Sequence, residues 1–421
     1  MLKENINKKI QLLANKGPSE EHWNQITVYL DALSDRGFEQ EAVDAFSSLL
    51  DSWPDSLRQA PRRWVKWIIE QGALMPRWQL VKALALEHED EIISSDMLSN
   101  LTWLQTGSFT TPTEFFYFDG AKGLGYLECR GNTYLDDSAL LKHATKLRFL
   151  DISASANLTE VDSLAKCKQL ETLILRDMSA LVKIDGIHGL PIRHLILQAC
   201  DHLIDTHVIA SLMKLEELEL SVKASREVTY LKALPLLKKL NLQVEDNSLT
   251  AKDLSSLQTL KELSVKKIKL NSLSELAELT HLEQFSCLED SGITELDFSK
   301  PLSRLFYLQL AHHQHLTSMQ GKGISSHLRH LSLPHCHALK SLDGIERFAE
   351  LEYLELTLNP QLEDISALKS LKHLKYLTLS GCEKIVDGSV LAEISNLEEL
   401  VVVGCSSLKG VRELTGVVVT E

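Results

Sequence analysis

The sequence predicts an α/β solenoid, an arc lined by a parallel concave β-sheet and preceded by an all-α helical domain. Three observations predict it. Leucine or isoleucine recurs at 124, 147, 170, 192, 215, 237, 260, 282, 305, 328, 351, 374 and 397, always 22 or 23 residues apart. Each is followed by an apolar residue three and five positions later, as in Leu147/Leu150/Ile152, Leu260/Leu263/Val265 and Leu351/Leu354/Leu356. The six tryptophans, at 23, 53, 64, 67, 78 and 103, all precede the first of these units, whereas no cysteine occurs before Cys129. A period this regular marks stacked coils, each too small to bury its own apolar face without its neighbours.

Residues 1–110 read as the helical domain. WNQITVYLDALSDRG, from Trp23, and FEQEAVDAFSSLLDSW, from Phe38, have helical periodicity and are separated by a stop at Gly37, so they predict an antiparallel hairpin. The pair looks loosely like a tetratricopeptide unit. Further helices are expected over 61–71, with Pro61 in the first turn, and over 77–89. Between them Arg62, Arg63, Lys66 and Arg77 mix with Trp64, Trp67 and Trp78, a pattern that fits a tryptophan core beneath a solvated basic face. Stacking on nucleic-acid bases or on an acidic partner is the alternative. QTGSFTTPTE leads out of the domain, and 111–123 holds the linker and a candidate capping strand, FFYF, at 115–118.

Residues 124–421 hold about 13 repeats. Alternation along a strand turns the leucines inward and the intervening residues outward onto the concave sheet. Some dozen residues remain for each return, as in LEDISALKSLKH from Leu362, which is too short for a long helix and predicts 3₁₀ or single helical turns. The unit matches LxxLxLxx(N/C)xL, so about 300 of the 421 residues resemble the leucine-rich repeat family, with a length similar to its internalin and phosphatase-regulator types. The resemblance implies a gently curved arc. It also implies a structural ladder at the ninth position, held here by Asn132, Ser155, Cys200, Cys336, Asn359, Cys382 and Cys405. A small, weakly donating thiol suits such a turn. A disulfide or metal site is the other reading, because Cys382 and Cys405 would lie about 5 Å apart at the strand spacing. In the middle units the slot holds Lys223, Glu245, Ile268 and Asp290, which predicts turns that bulge or are re-routed.

Composition narrows the function. A formal charge of −14 argues against a duplex nucleic-acid binder, and seven cysteines without a CxxC pair favour reduced thiols. No apolar run reaches membrane-span length and the amino terminus lacks a signal-peptide core, so the expected location is cytoplasmic, delivery as a secreted effector being the exception. There is no GxxxxGK[ST], HExxH, GxSxG or kinase motif, and GAKGLG at 120–125 has the wrong spacing for a phosphate loop, so no enzyme and no cofactor are expected. Seven histidines fall between 312 and 337. His312 and His335 share a position in adjacent units and are the candidate zinc ligands if any exist, with no metal the expectation; His313 takes the ladder slot.

The column just before the second leucine reads Glu217, Lys239, Glu262 and Gln284, then Tyr307, His330, Tyr353 and Tyr376. That change from charge to rings predicts a concave partner-binding stripe, in which Glu217 and Glu262 contribute through salt-dependent attraction; the alternative is that tyrosines simply suit strands and pack on one another across the sheet. The reading is a non-enzymatic scaffold for another protein. By resemblance, a regulatory or inhibitory subunit of an enzyme such as a phosphatase is an alternative, and a host-directed effector or toxin-neutralising protein is another.

Overall fold

In the computed structural model the described residues are 2–17, 19–34, 36–38, 41, 42, 45, 103–106, 122–131, 135, 141, 144–323, 327–411 and 414–420. The expected helices at 61–71 and 77–89, the tryptophan–arginine segment, the FFYF strand and Asn132 lie outside them. The chain divides into two compact units, Met1–Leu212 and Met213–Glu421.

The first unit opens with helices α1 (Leu2–Ala14) and α2 (Glu20–Ser34), which pack on each other. Ile6, Ile10 and Leu13 form one apolar face, and Trp23, Ile26, Leu30 and Leu33 form the other; all are buried. These spacings of three and four place each set on one side of its helix. Between the helices Gly17 takes φ +90° and the Ser19 hydroxyl accepts the His22 N–H at 3.1 Å, so a glycine stop and a serine cap set the turn. The expected first helix is α2, but its described partner is α1; most of the 38–53 segment lies outside the described residues. Helix α1 is not among the elements expected from the sequence, although Ile6, Ile10 and Leu13 recur at helical spacing.

Five strands follow: β1 (Trp103–Thr106), β2 (Tyr126–Cys129), β3 (Phe149–Asp151), β4 (Thr172–Arg176) and β5 (His194–Gln198). Each is parallel to the next, with Tyr126 opposite Phe149 and Phe149 opposite Thr172. β1 extends the repeat to sequence expected to end the helical domain. Trp103 pairs with Tyr126, so the 23-residue period already holds there.

The second unit contains ten parallel strands: β6 (Glu217–Val222), β7 (Lys239–Val244), β8 (Glu262–Val265), β9 (Gln284–Cys287), β10 (Tyr307–Leu310), β11 (His330–Ser332), β12 (Tyr353–Glu355), β13 (Tyr376–Thr378), β14 (Glu399–Val401) and β15 (Val418–Thr420). β2 to β14 each begin two residues after one of the thirteen predicted repeat starts, and β15 adds a strand beyond them. Among the described residues most returns of this unit carry 3₁₀ turns, such as Ser366–Ser370 and Ser389–Glu393, and one carries a short α-helical turn at Ala251–Leu254, as the short period requires, whereas those after β9 and β10 contain no helical turn.

The irregular middle units have a definite shape. In most coils the residue before the ladder slot takes a left-handed conformation that ends the strand: Ala154, Ala199, His312, His335 and Leu358 have φ between 52° and 59°, and Gly381 and Gly404 occupy the same place. In β6 and β7 that residue is Val222 or Val244. A β-branched side chain resists positive φ, so both strands run on and bury the valine inward with the pattern eBiBiB. Lys223 and Glu245 are thereby turned out to solvent.

Candidate functional site

Five ladder residues share one recurring hydrogen bond, whereas the hydroxyl of Ser155, in the same slot and buried, has no partner among the described residues. The thiols of Cys200, Cys336, Cys382 and Cys405 donate to the carbonyls of Leu175, Leu310, Leu356 and Leu379 at 3.3, 3.3, 2.9 and 2.9 Å. Each acceptor is the third apolar residue of a neighbouring coil. Asn359 does the same through Nδ2, to Leu333 at 2.9 Å; it also donates to Leu356 and accepts the Cys336 N–H at 2.7 Å. Burial pushes the Cys336 and Cys382 thiols up to about 12, and all seven cysteines are unpaired. A neutral buried thiol is a donor here and not a nucleophile.

His313 fills the same slot. It is fully buried, with Nδ1 at 2.9 Å from the Ala311 carbonyl and Nε2 at 2.9 Å from the Ser291 hydroxyl. Nε2 also accepts the Ser291 backbone N–H at 3.4 Å, a partner that can only donate, so the ring is the neutral tautomer protonated on Nδ1, donating to the carbonyl and accepting from Ser291. His312 and His335 do lie side by side, their rings stacked at 4.3 Å and 13°. Lone pairs in the planes of two parallel rings do not converge on one ion, and among the described residues no group of three His, Cys, Asp or Glu is placed to hold a metal. His315 is bonded through Nδ1 to Asp290 instead.

The concave column is in register from strand to strand: Tyr307 opposite His330, His330 opposite Tyr353, and Tyr353 opposite Tyr376. Tyr307, His330 and Tyr353 form a continuous stack, with centroid separations of 4.4 and 4.0 Å. Tyr376 stands apart from Tyr353 at 6.3 Å, tilted by 37°, and is 39% exposed. Burial in the stack raises the Tyr307 and Tyr353 pKa values and lowers that of His330. At the other end of the column Glu262 pairs with Lys239 at 3.1 Å, and Glu217 is exposed on the adjoining strand.

Two further features are not among the expected site residues. Tyr126 and Phe149 stack at 4.2 Å and 6° in the first unit, each two residues after a repeat start, at Leu124 and Leu147. Glu355 also lies within the stripe. Its carboxylate accepts from the Ser332 hydroxyl at 2.7 Å and the Thr357 hydroxyl at 3.2 Å, and its charge acts on Tyr307, His330 and Tyr353. It occupies the next outward column, two residues after Tyr353.

Period, register and ladder together define a leucine-rich-repeat solenoid fold with helices near the amino terminus. No family model and no curated protein matches the sequence. Among solved structures the chain is similar to an internalin from Listeria monocytogenes, with 17% identity over 76% of this chain and 92% of that one and a TM-score of 0.49. A leucine-rich-repeat protein from Leptospira interrogans is likewise 17% identical, over 84% of this chain and 98% of that one, with a TM-score of 0.47. The Toll–Spatzle complex of Drosophila matches with 16% identity over 76% of this chain and 48% of that one, with a TM-score of 0.44. Among the described residues no helix is long and apolar enough to cross a membrane.

Proposed function

We propose that the protein is a non-enzymatic interaction scaffold that binds a partner protein on its concave face. The observation that carries this reading is the in-register stripe of Tyr307, His330, Tyr353 and Tyr376. A sheet tied by backbone bonds and a buried ladder presents side chains already ordered, so little entropy is lost on binding. Tyrosines supply large rigid area with a polar tip, the composition that interface centres favour. Glu217 and Glu262 serve as flanking charges that steer the approach. Six buried thiols among the seven cysteines support a reducing, cytoplasmic setting.

The test is to identify the copurifying protein and measure its affinity for variants. Tyr353→Ala and Tyr376→Ala should each weaken binding by about 1 to 3 kcal/mol with unchanged circular dichroism. Wild-type affinity in both would exclude the stripe and turn attention to the re-routed turns around Lys223 and Glu245.

A further inference from the structure

We infer that the stripe is built for a basic segment of the partner, with an arginine guanidinium seated over Tyr353 and Tyr376 between Glu355 and Glu399; this rests on the concave face being the partner surface. The outward strand positions from β6 to β14 hold five glutamates (Glu217, Glu219, Glu262, Glu355 and Glu399) against a single lysine, Lys239, and no arginine. That lysine is already engaged with Glu262. The face therefore carries net negative charge, and Glu355 and Glu399 are the carboxylates that place it beside the rings.

The neighbouring row shows that this imbalance is local. One residue earlier in each coil, charges of both signs neutralise one another across the strands. Lys238 pairs with Glu216 at 2.7 Å, Lys261 with Glu283 at 2.9 Å, Lys375 with Glu352 at 2.8 Å and Arg329 with Glu352 at 3.7 Å. Glu355 and Glu399 have no such counterpart: among the described residues neither makes an ion pair. Glu355 is held by the neutral hydroxyls of Ser332 and Thr357, which orient the carboxylate without cancelling its charge. Glu399 is exposed and pairs in register with Tyr376. Both carboxylates act electrostatically on Tyr353.

Ring geometry selects the position along the stripe. Within the Tyr307–His330–Tyr353 stack the facing surfaces cover one another. Beyond Tyr353 the stack opens, because the Tyr376 hydroxyl reaches to Glu398 at 3.5 Å and the ring tilts away. Exposed tyrosine face and two uncompensated carboxylates thus meet at one place. A planar guanidinium can stack on the ring and donate to a carboxylate simultaneously, which an ammonium does less well.

Titration calorimetry with the full-length protein tests the inference using a short synthetic peptide that alternates arginine and serine, beside its lysine and glutamate counterparts. The arginine peptide should bind, the lysine peptide about fivefold or more weakly, and the glutamate peptide not at all. Glu355→Gln and Glu399→Gln, each checked for unchanged circular dichroism, should weaken the arginine peptide by about three- to tenfold, and so should Tyr376→Ala. Absence of arginine-peptide binding overturns the inference, as does equal binding of the lysine peptide or indifference to all three substitutions. The copurifying partner separates this failure from failure of the face itself. If Tyr353→Ala weakens that partner while both glutamine variants bind it normally, the face stands and the basic occupant is wrong; if neither set matters, the face is wrong.

Discussion

At the residue scale the ladder explains why cysteine, asparagine and histidine share one slot. Each satisfies backbone groups that the tight turn leaves buried, and a buried carbonyl or amide without a partner costs more than a typical hydrogen bond contributes. Asn359 makes three such bonds with the side-chain amide, whereas Cys382 donates one through a weak S–H donor. Asn359→Ala should therefore lower unfolding free energy by about 2 to 4 kcal/mol and Cys382→Ala by about 1 kcal/mol. Denaturant unfolding measures both, and equal losses would contradict the ladder's energetics.

His313 adds a pH dependence with a defined sign. Burial lowers its pKa below the ordinary 6.5, with Asp290 opposing and His312 reinforcing the shift. The unfolded chain binds the proton more readily, so the contribution to stability is complete above about pH 6.5 and is lost as pH falls through that value towards the folded pKa. Unfolding measured from pH 8 to pH 5 should show a steeper acid loss for the wild type than for His313→Gln, by up to about one proton in the linkage slope. Parallel profiles would mean that His313 is not held neutral. The slot itself is legible in the sequence because it recurs at fixed spacing. The tautomer is not, since it depends on Ser291, which lies 22 residues away.

At the scale of one coil, the strand ends where a residue can turn left-handed. The sequence locates the irregular units through the loss of the ladder residue, and the valines before Lys223 and Glu245 explain what replaces it. Only burial shows that these valines point inward and lengthen the strands. The returns impose a different constraint. In the 3₁₀ turn Asp185–Ile187, a Cβ on Gly186 would stand 2.1 Å from the Val161 carbonyl oxygen and 2.6 Å from the Asp162 Cα. Adjacent returns touch there through backbone atoms, which cannot swing aside. Gly186→Ala should separate the two coils and destabilise the fold by about 3 kcal/mol or more, whereas Gly189→Ala, with nothing within 4 Å but a φ of +65°, should cost about 1 kcal/mol. Thermal unfolding of the two variants checks the order, and a smaller loss for Gly186→Ala would show that the coils slide apart freely.

At the scale of the whole molecule, the repeat among the described residues reaches one coil further back than its apolar triplet announces. Leu101 and Leu104 stand at the right offsets, but Thr106 fills the third apolar position, so a search for three apolar residues first succeeds at Leu124. Register resolves this, because β1 pairs with β2 along four residues. Nearest-neighbour interfaces carry the stability of such an array. Removing residues 1–99 should leave a folded chain, and extending the deletion through residue 110 should lower its melting temperature by a further few degrees, because β2 then keeps β3 but loses its parallel neighbour β1. Circular dichroism melts of the two truncations decide it, and identical melting temperatures would show that β1 contributes nothing to the array.

The sequence by itself determined the period, the inward and outward faces, the ladder slot and the column of rings. These follow from alternation along a strand and a constant return length, both local and repeated thirteen times. Tertiary structure decided the rest. That three rings stack while Tyr376 tilts away depends on side-chain torsions and on Glu398, one coil further on. That Glu355 stays uncompensated while Glu352 is doubly paired depends on which lysines and arginines reach across the strands. The packing of α1 against α2 likewise joins two apolar faces whose mutual fit no periodicity encodes. Period is a property of one chain segment, whereas pairing requires two segments to meet, and only the folded chain brings them together.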